Sequence, residues 1–290
     1  MFAQVTLTPT ESKKLIAFAV AEMDVVKNAL ADGIVAMHPS SSTYFVAETI
    51  IGQRPKTNVW LCGAIVPKAA CVEKSVFEGP HSVAMPGGYR PQGFGHSMVI
   101  EKGVLTQGTP LEETLGRMKT SDVYIKGVNA LDIQGNVGIL IGSGAKGGTI
   151  SKVVAAHKEK PFNLIFPVGL EKLIPISVKE AAAAARGKKN EYSMGISCNM
   201  LPCDQGTVVT ELKAFQLLSG VTATPIASGG VGGAEGSVTL VLQGEKEQVL
   251  KAIQYAERSK GARLPQVRLY ECDNCANASC DFPIVGKPWS

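Results

Sequence analysis

No apolar run in the 290-residue sequence approaches the ~20 residues that span a bilayer. No basic stripe with interleaved aromatics is present either, although the formal net charge is +4. The one basic cluster, Arg186-Gly187-Lys188-Lys189, reads as a solvated linker rather than a phosphate contact. Without such a stripe, nucleic acid is excluded as a partner. The even cysteine count of a secreted disulfide framework is also missing, since there are seven cysteines. Lys13-Lys14 before Leu15–Ala21 mimics a signal peptide, but Thr8-Pro9-Thr10-Glu11 is a helix-opening capping box. The expectation is a cytoplasmic, membrane-free chain, and 45% hydrophobic residues suffice for a sizeable core.

The first helix is expected to run from that box through Glu22 and Asp24 to Leu30. Asp32-Gly33 then turns into a strand, Ile34–Met37, followed by His38-Pro39-Ser40-Ser41-Ser42-Thr43 and a helix over Tyr44–Ile51. Hydroxyl residues at a strand-to-helix junction combine side-chain donors with the positive end of a helix dipole, which suits a phosphate or carboxylate. The plain alternative is that Ser42 or Thr43 is an N-cap. Val59–Val66 reads as a strand. Phe77–His96, rich in glycine and proline, is long enough to be an active-site loop or a partner-binding arm, with His81, Arg90 and His96 as its polar candidates. A hairpin over Ser97–Thr106 and a helix over Leu111–Lys119 lead onward.

The chain is organised around Asp122–Lys172. Val123–Val128 is a β-type run, and Asp132–Asn136 a turn. Val137–Ile141 leads into the loop Gly142-Ser143-Gly144-Ala145-Lys146-Gly147-Gly148, then a helix over Ile150–Lys158 ended by Pro161, then a strand over Phe162–Val168. Strand, glycine loop, helix and strand in this order describe a parallel α/β unit, whose ligands bind outside the carboxyl ends of the strands.

Gly33–Thr43, Asp122–Ala130 and a glycine loop before a helix together resemble the ribose-5-phosphate isomerase, CoA-transferase and sugar-regulator superfamily, over roughly residues 10 to 175. The translation-initiation-factor-like methylthioribose-phosphate isomerases share this layout. The resemblance implies that Ser40, Ser41, Ser42 and Thr43 hold a phosphate. The family's carboxylate-bearing Asp-Gly-Ala-Asp motif corresponds to Lys126-Gly127-Val128-Asn129, and its helix-start glutamate to Ser151, so the usual carboxylates are missing. Enediol isomerisation needs a base that lysine and asparagine do not replace. The CoA-transferases use a glutamate nucleophile; Glu48 and Glu73 lie outside that family's motif. The expectation is therefore an anion pocket built from Ser40, Ser41, Ser42, Thr43, Lys126, Asn129, Gly142, Ser143, Gly144 and Lys146, without ribose 5-phosphate isomerisation. Lys126 and Lys146 make that pocket cationic; the alternative for Lys146 is an ordinary loop lysine.

After a helix over Val178–Arg186, Tyr192–Cys198, Thr207–Leu218, Val221–Ala227, Ser237–Leu242, Glu245–Ser259 and Val267–Tyr270 read as β-α-β-β-α-β. That is the order of a ferredoxin-like module. Gly236–Gly244 before the Glu245 helix also resembles microcompartment shell proteins, which implies a homo-oligomer. The loop Gly229–Gly236 admits close approach of an anion, or is a mobile hairpin. The fold class expected is α/β: an isomerase/CoA-transferase-like domain over 1–186, an α+β ferredoxin-like domain over 187–271 and a cysteine-rich tail over 272–290. Cys198, Cys203, Cys272, Cys275 and Cys280 suit zinc or an iron–sulfur cluster if their segments meet, with reduced structural thiols or a redox disulfide as alternatives. Two functions stay open: binding of, with or without catalysis on, an anionic phosphorylated or CoA-linked metabolite, or a metal-containing sensor or scaffold assembling through the ferredoxin-like domain.

Overall fold

The structure is a computed structural model. It describes residues 1–55, 65–71, 82–85, 88–91, 96–142, 148–185, 187–266, 269, 271–272 and 280–284. Its centre is a mixed sheet of six strands. Four of them are parallel: β2 (Ile34–Met37), β9 (Val123–Ile125), β12 (Asn163–Pro167) and β14 (Thr207–Val209), in the order β14-β12-β9-β2. The antiparallel hairpin β7 (His96–Glu101) and β8 (Val104–Pro110) extends the sheet beyond β2. Its two-residue turn has left-handed backbone at Lys102 (φ 47°) and Gly103 (φ 76°), the geometry that matches strand twist.

Alternation along these strands separates two cores. Val35, Met37, Val123, Ile125, Ile165 and Val209 face one way. There they meet α1 (Pro9–Glu22), α3 (Ser41–Ile51), α7 (Glu211–Ser219) and α8 (Lys246–Ser259). Ile34, Ala36, Tyr124, Leu164 and Phe166 face the other way, onto α4 (Leu111–Arg117) and α5 (Gly148–Glu159). Burial on both faces explains why these strands read as continuous apolar runs. A smaller sheet, β1-β16-β15, formed by β1 (Phe2–Leu7), β16 (Ser237–Gln243) and β15 (Thr222–Gly229), adds Leu7, Val238, Leu240 and Leu242 to the first core. Short pairs link β3 (Ile65–Val66) with β4 (Ala69–Ala70), and β5 (Ser82–Met85) with β6 (Gly88–Pro91).

The α/β class is as expected, but several elements differ. The first helix stops at Met23, whose backbone is extended (φ −65°, ψ 133°), and α2 (Asp24–Asp32) restarts beyond it. α1 packs on α3 and α7, whereas α2 packs on β2, so tertiary contacts bend a segment that helical periodicity reads as continuous. The parallel unit is β9–β12, not one built on Val137–Ile141. That run is β11 (Val137–Gly142), which lies antiparallel between β10 (Ala130–Leu131) and β13 (Cys198–Cys203) in a separate sheet. The crossover from β9 to β12 therefore contains a whole hairpin before its helix.

The segment expected to make one ferredoxin-like module is distributed over three sheets. β13 joins β11, β14 extends the parallel sheet, and β15–β16 pair with the N-terminal β1. Thr207-Val208-Val209 was expected to be helical; its β-branched residues instead form β14 beside Ile165, Phe166 and Pro167. The strand expected over Tyr192–Cys198 is displaced to Cys198–Cys203. The Val267–Tyr270 strand and most of Val59–Val66 fall outside the described residues. Among the described residues, no helix is long and apolar enough to cross a membrane.

Candidate functional site

All four parallel strands end at the same rim, and each exit segment carries an ionisable side chain. β2 leads to His38, β9 to Lys126 and β14 to Glu211, all buried, while β12 leads through the 3-10 turn Leu170–Lys172 to the half-buried Glu171 and Lys172. Strand order sets them in a row: Glu211, then Glu171 and Lys172, then Lys126, then His38. The first turn of α1 adds Ser12 and Lys13, both buried.

The exit of β2 is tied down locally. Ser40 is the N-cap of α3, its Oγ accepting from Thr43 N at 3.2 Å, so the cap lies earlier than Ser42 or Thr43. Thr43 Oγ1 donates to His38 O at 2.6 Å, and His38 N donates to Ile125 O at 3.0 Å. α3 is anchored by burial of Tyr44, Phe45, Val46 and Ala47, the two rings meeting edge-on at 5.6 Å. Each large apolar side chain so buried contributes about 1.5–3 kcal/mol. Ser40 and Thr43 are thus committed to the turn. Ser42 is not: it is 2% exposed, and its Oγ finds no hydrogen-bond partner among the described residues. His38 Nδ1 is buried without a partner as well.

The exit of β9 closes on the same place. A Cβ at Gly127 would lie 2.5 Å from Ser40 Oγ and 3.7 Å from Ser42 Cβ, so only glycine admits this approach of the two loops. At the next residue, Val128 O accepts from Lys172 Nζ at 2.6 Å. Loops from three strands therefore meet across Gly127-Val128.

The electrostatics there are positive. Burial first, then the Lys126 charge, holds the His38 imidazole well below its ordinary pKa, so it is neutral at pH 7. Burial, then Lys13 and Lys126, pushes the Lys172 ammonium down to about 8, against the opposing charge of Glu171. Lys13 Nζ and Glu171 Oε1 form an ion pair at 2.6 Å, while Glu171 Oε2 is buried without a partner. Glu211 is fully buried, and burial raises its carboxyl to about 7 despite hydrogen bonds from Ser12 and from Leu170 N at 3.0 Å. Lys172 and Glu211 thus titrate near neutrality on the carboxyl rim of a parallel sheet, the side where such sheets bind ligands.

Of the residues expected to form the pocket, Ser40, Ser41, Ser42, Thr43 and Lys126 stand on this rim. Asn129 does not serve it: its N donates to Gly138 O at 2.8 Å, and its Oδ1 accepts from Leu140 N at 3.0 Å, fastening the loop to β11. Gly142 ends β11 opposite Cys198, in the separate sheet. Ser143, Gly144 and Lys146 lie outside the described residues, as do His81, Glu73 and Cys275. Glu48 is ion-paired with Lys14 at 2.8 Å and Arg54 at 3.2 Å, away from the rim.

Two of the late thiols, those of Cys198 and Cys203, are held apart. Cys198 and Cys203 stand at opposite ends of β13, opposite Gly142 and Val137, so about five strand rises of ~3.3 Å separate them. Cys198 Sγ donates to Ile196 O, and Cys280 Sγ accepts from Gly195 N at 3.2 Å. Burial raises the thiol pKa of both Cys198 and Cys203, the latter to about 11, which disfavours the thiolates that bind metal. Cys272 is half-buried. Among the described residues no group of three or more His, Cys, Asp or Glu is placed to hold a metal ion.

Sequence reasoning missed Lys13, Glu171, Lys172 and Glu211. A cleft of about 520 Å³ at the far end of α3, lined by Lys14, Phe18, Glu48, Arg54, Tyr255 and Arg258, is separate from the rim. Compared with models of known protein families, with curated proteins and with solved structures, the chain matches none.

Proposed function

We propose that the carboxyl rim of the parallel sheet binds an anionic small metabolite, phosphorylated or CoA-linked, through Ser42, the N-terminus of α3 and the positive field of Lys126 and Lys172. One observation carries the reading: Ser42 Oγ is buried at a helix N-terminus with no partner among the described residues. Buried polar groups are nearly always hydrogen-bonded, so such an orphan marks a place where something else supplies the bond. The helix dipole favours a negative group there. The neutral His38 imidazole beside it adds a group able to donate or accept a proton. The resemblance to the phosphosugar isomerase and CoA-transferase superfamily supports the same ligand class.

Thermal unfolding with glycerol 3-phosphate, ribose 5-phosphate and acetyl-CoA tests this. At least one should raise Tm, as any ligand of the folded state does. Ser42→Ala should remove the shift without lowering the ligand-free Tm. A shift equal in wild type and Ser42→Ala, or none with any of the three, refutes the proposal.

A further inference from the structure

We propose that Lys172 is the nucleophile of this site and forms an imine with small anionic carbonyl compounds, aldehydes or ketones carrying a phosphate or carboxylate. This rests on the anion-binding reading above. The backbone around Lys172 is pinned on both sides: its N donates to Gly169 O at 3.1 Å, and Ile174 N donates to Leu131 O at 2.8 Å. The residue as a whole is half-buried, while its amine lies deep enough for burial to be the main cause of its lowered pKa. Its amine is held at 2.6 Å by Val128 O, one residue from the glycine that abuts Ser40 and Ser42. Amine and Ser42 thus border two consecutive residues, Val128 and Gly127. In the proposed complex a phosphorylated three-carbon carbonyl compound places its anion at α3 and its carbonyl at the amine.

The charged groups facing the amine are Lys13 from α1, Lys126 from the β9 exit and Glu171 beside it. Desolvation and neighbouring cations are what turn a lysine into a nucleophile. With its pKa at about 8, roughly a tenth of the amine is neutral at pH 7, some 300-fold more than for an ordinary lysine.

In the reaction the Nζ lone pair adds to the carbonyl carbon, and the C=O π pair moves to oxygen. One amine proton transfers to that oxygen through water, giving a carbinolamine. The C–O bond then breaks, and the hydroxyl leaves as water with the second amine proton. Amine and carbonyl become imine and water, with no change of oxidation state.

The test incubates the full chain with dihydroxyacetone phosphate or pyruvate, reduces it with borohydride and maps adducts by tandem mass spectrometry. One reduced adduct on Lys172 is expected, suppressed by glycerol 3-phosphate and absent from Lys172→Arg. The preferred carbonyl compound tells phosphate from carboxylate recognition. Adducts scattered over surface lysines, or none, while glycerol 3-phosphate still raises Tm, overturn the role of Lys172 and leave the anion site standing. If none of glycerol 3-phosphate, ribose 5-phosphate and acetyl-CoA raises Tm, the anion site falls and the nucleophile with it. Should Lys172→Arg not fold, the position of the wild-type adduct decides alone.

Discussion

The two ends of the parallel sheet treat buried charge in opposite ways. At the amino end Asp122 is 2% exposed, and both its oxygens are used: Oδ1 accepts from Ile34 N at 2.8 Å and Oδ2 from Lys119 N at 2.6 Å. Its carbonyl also accepts from Asn163 N at 2.9 Å, so one residue aligns the starts of β2, β9 and β12. At the carboxyl end Ser42 Oγ, His38 Nδ1 and Glu171 Oε2 are buried without partners, and burial, then like charges, lowers the Lys172 pKa. A buried polar group whose bonds are all made locally is scaffold. One left unsatisfied costs the fold about 1–3 kcal/mol and persists where binding uses it.

The sharpest way to break this contrast is Asp122→Ala. The buried N–H of Ile34 and the part-buried N–H of Lys119 lose their acceptor, so stability should fall by about 3 kcal/mol in urea denaturation. A loss below about 1 kcal/mol would remove the distinction between the two ends. Gly127→Ala comes next. Its methyl would meet Ser40 Oγ at 2.5 Å and Ser40 Cβ at 3.1 Å, forcing the loops apart at about 1–2 kcal/mol and abolishing ligand-induced shifts in Tm. Gly116→Ala, in a helix with nothing within 4 Å, is the control and should not destabilise.

Glu211→Gln has a smaller effect, visible in its pH dependence. The folded carboxyl titrates at about 7, above its ordinary 4.5, so the folded state holds the extra proton between those values. Wild-type stability should therefore fall as pH rises from 4.5 to 7, and the variant should lose that slope. Parallel pH profiles of the two urea midpoints would show that Glu211 is not the buried acid described. The smallest effect on the ligand-free fold belongs to Ser42→Ala. It should be no less stable than wild type, because the hydroxyl makes no bond to lose and its removal relieves an unsatisfied buried group. A loss above 1.5 kcal/mol in urea denaturation would make Ser42 a scaffold residue like Asp122.

Much of the rim was legible in the sequence where a local signal existed. The capping box Thr8–Glu11 forms as written, with Thr8 N bonded to Glu11 Oε2 at 2.9 Å. The hydroxyl run after Met37 and the approach of Lys126 and Gly127 to it follow from two apolar strands of similar type. Partner choice was not legible. Val137–Ile141 is as apolar as a parallel strand, and only its pairing with Cys198–Cys203, some 60 positions away, places it elsewhere. Thr207–Val209 carries too few residues to separate strand from helix by period, so the fourth parallel strand and Glu211 at its end went unseen. Lys172 closes the stretch Asp122–Lys172. Its role depends on Val128 O, 44 residues earlier, and no spacing rule encodes that contact.

Diffraction from crystals grown with ribose 5-phosphate tests the central claim most directly. The phosphate should lie within hydrogen-bond reach of Ser42 Oγ, between the first turn of α3 and Lys126. Phosphate density in the Arg258 cleft instead, with Ser42 Oγ turned into the protein, would contradict it.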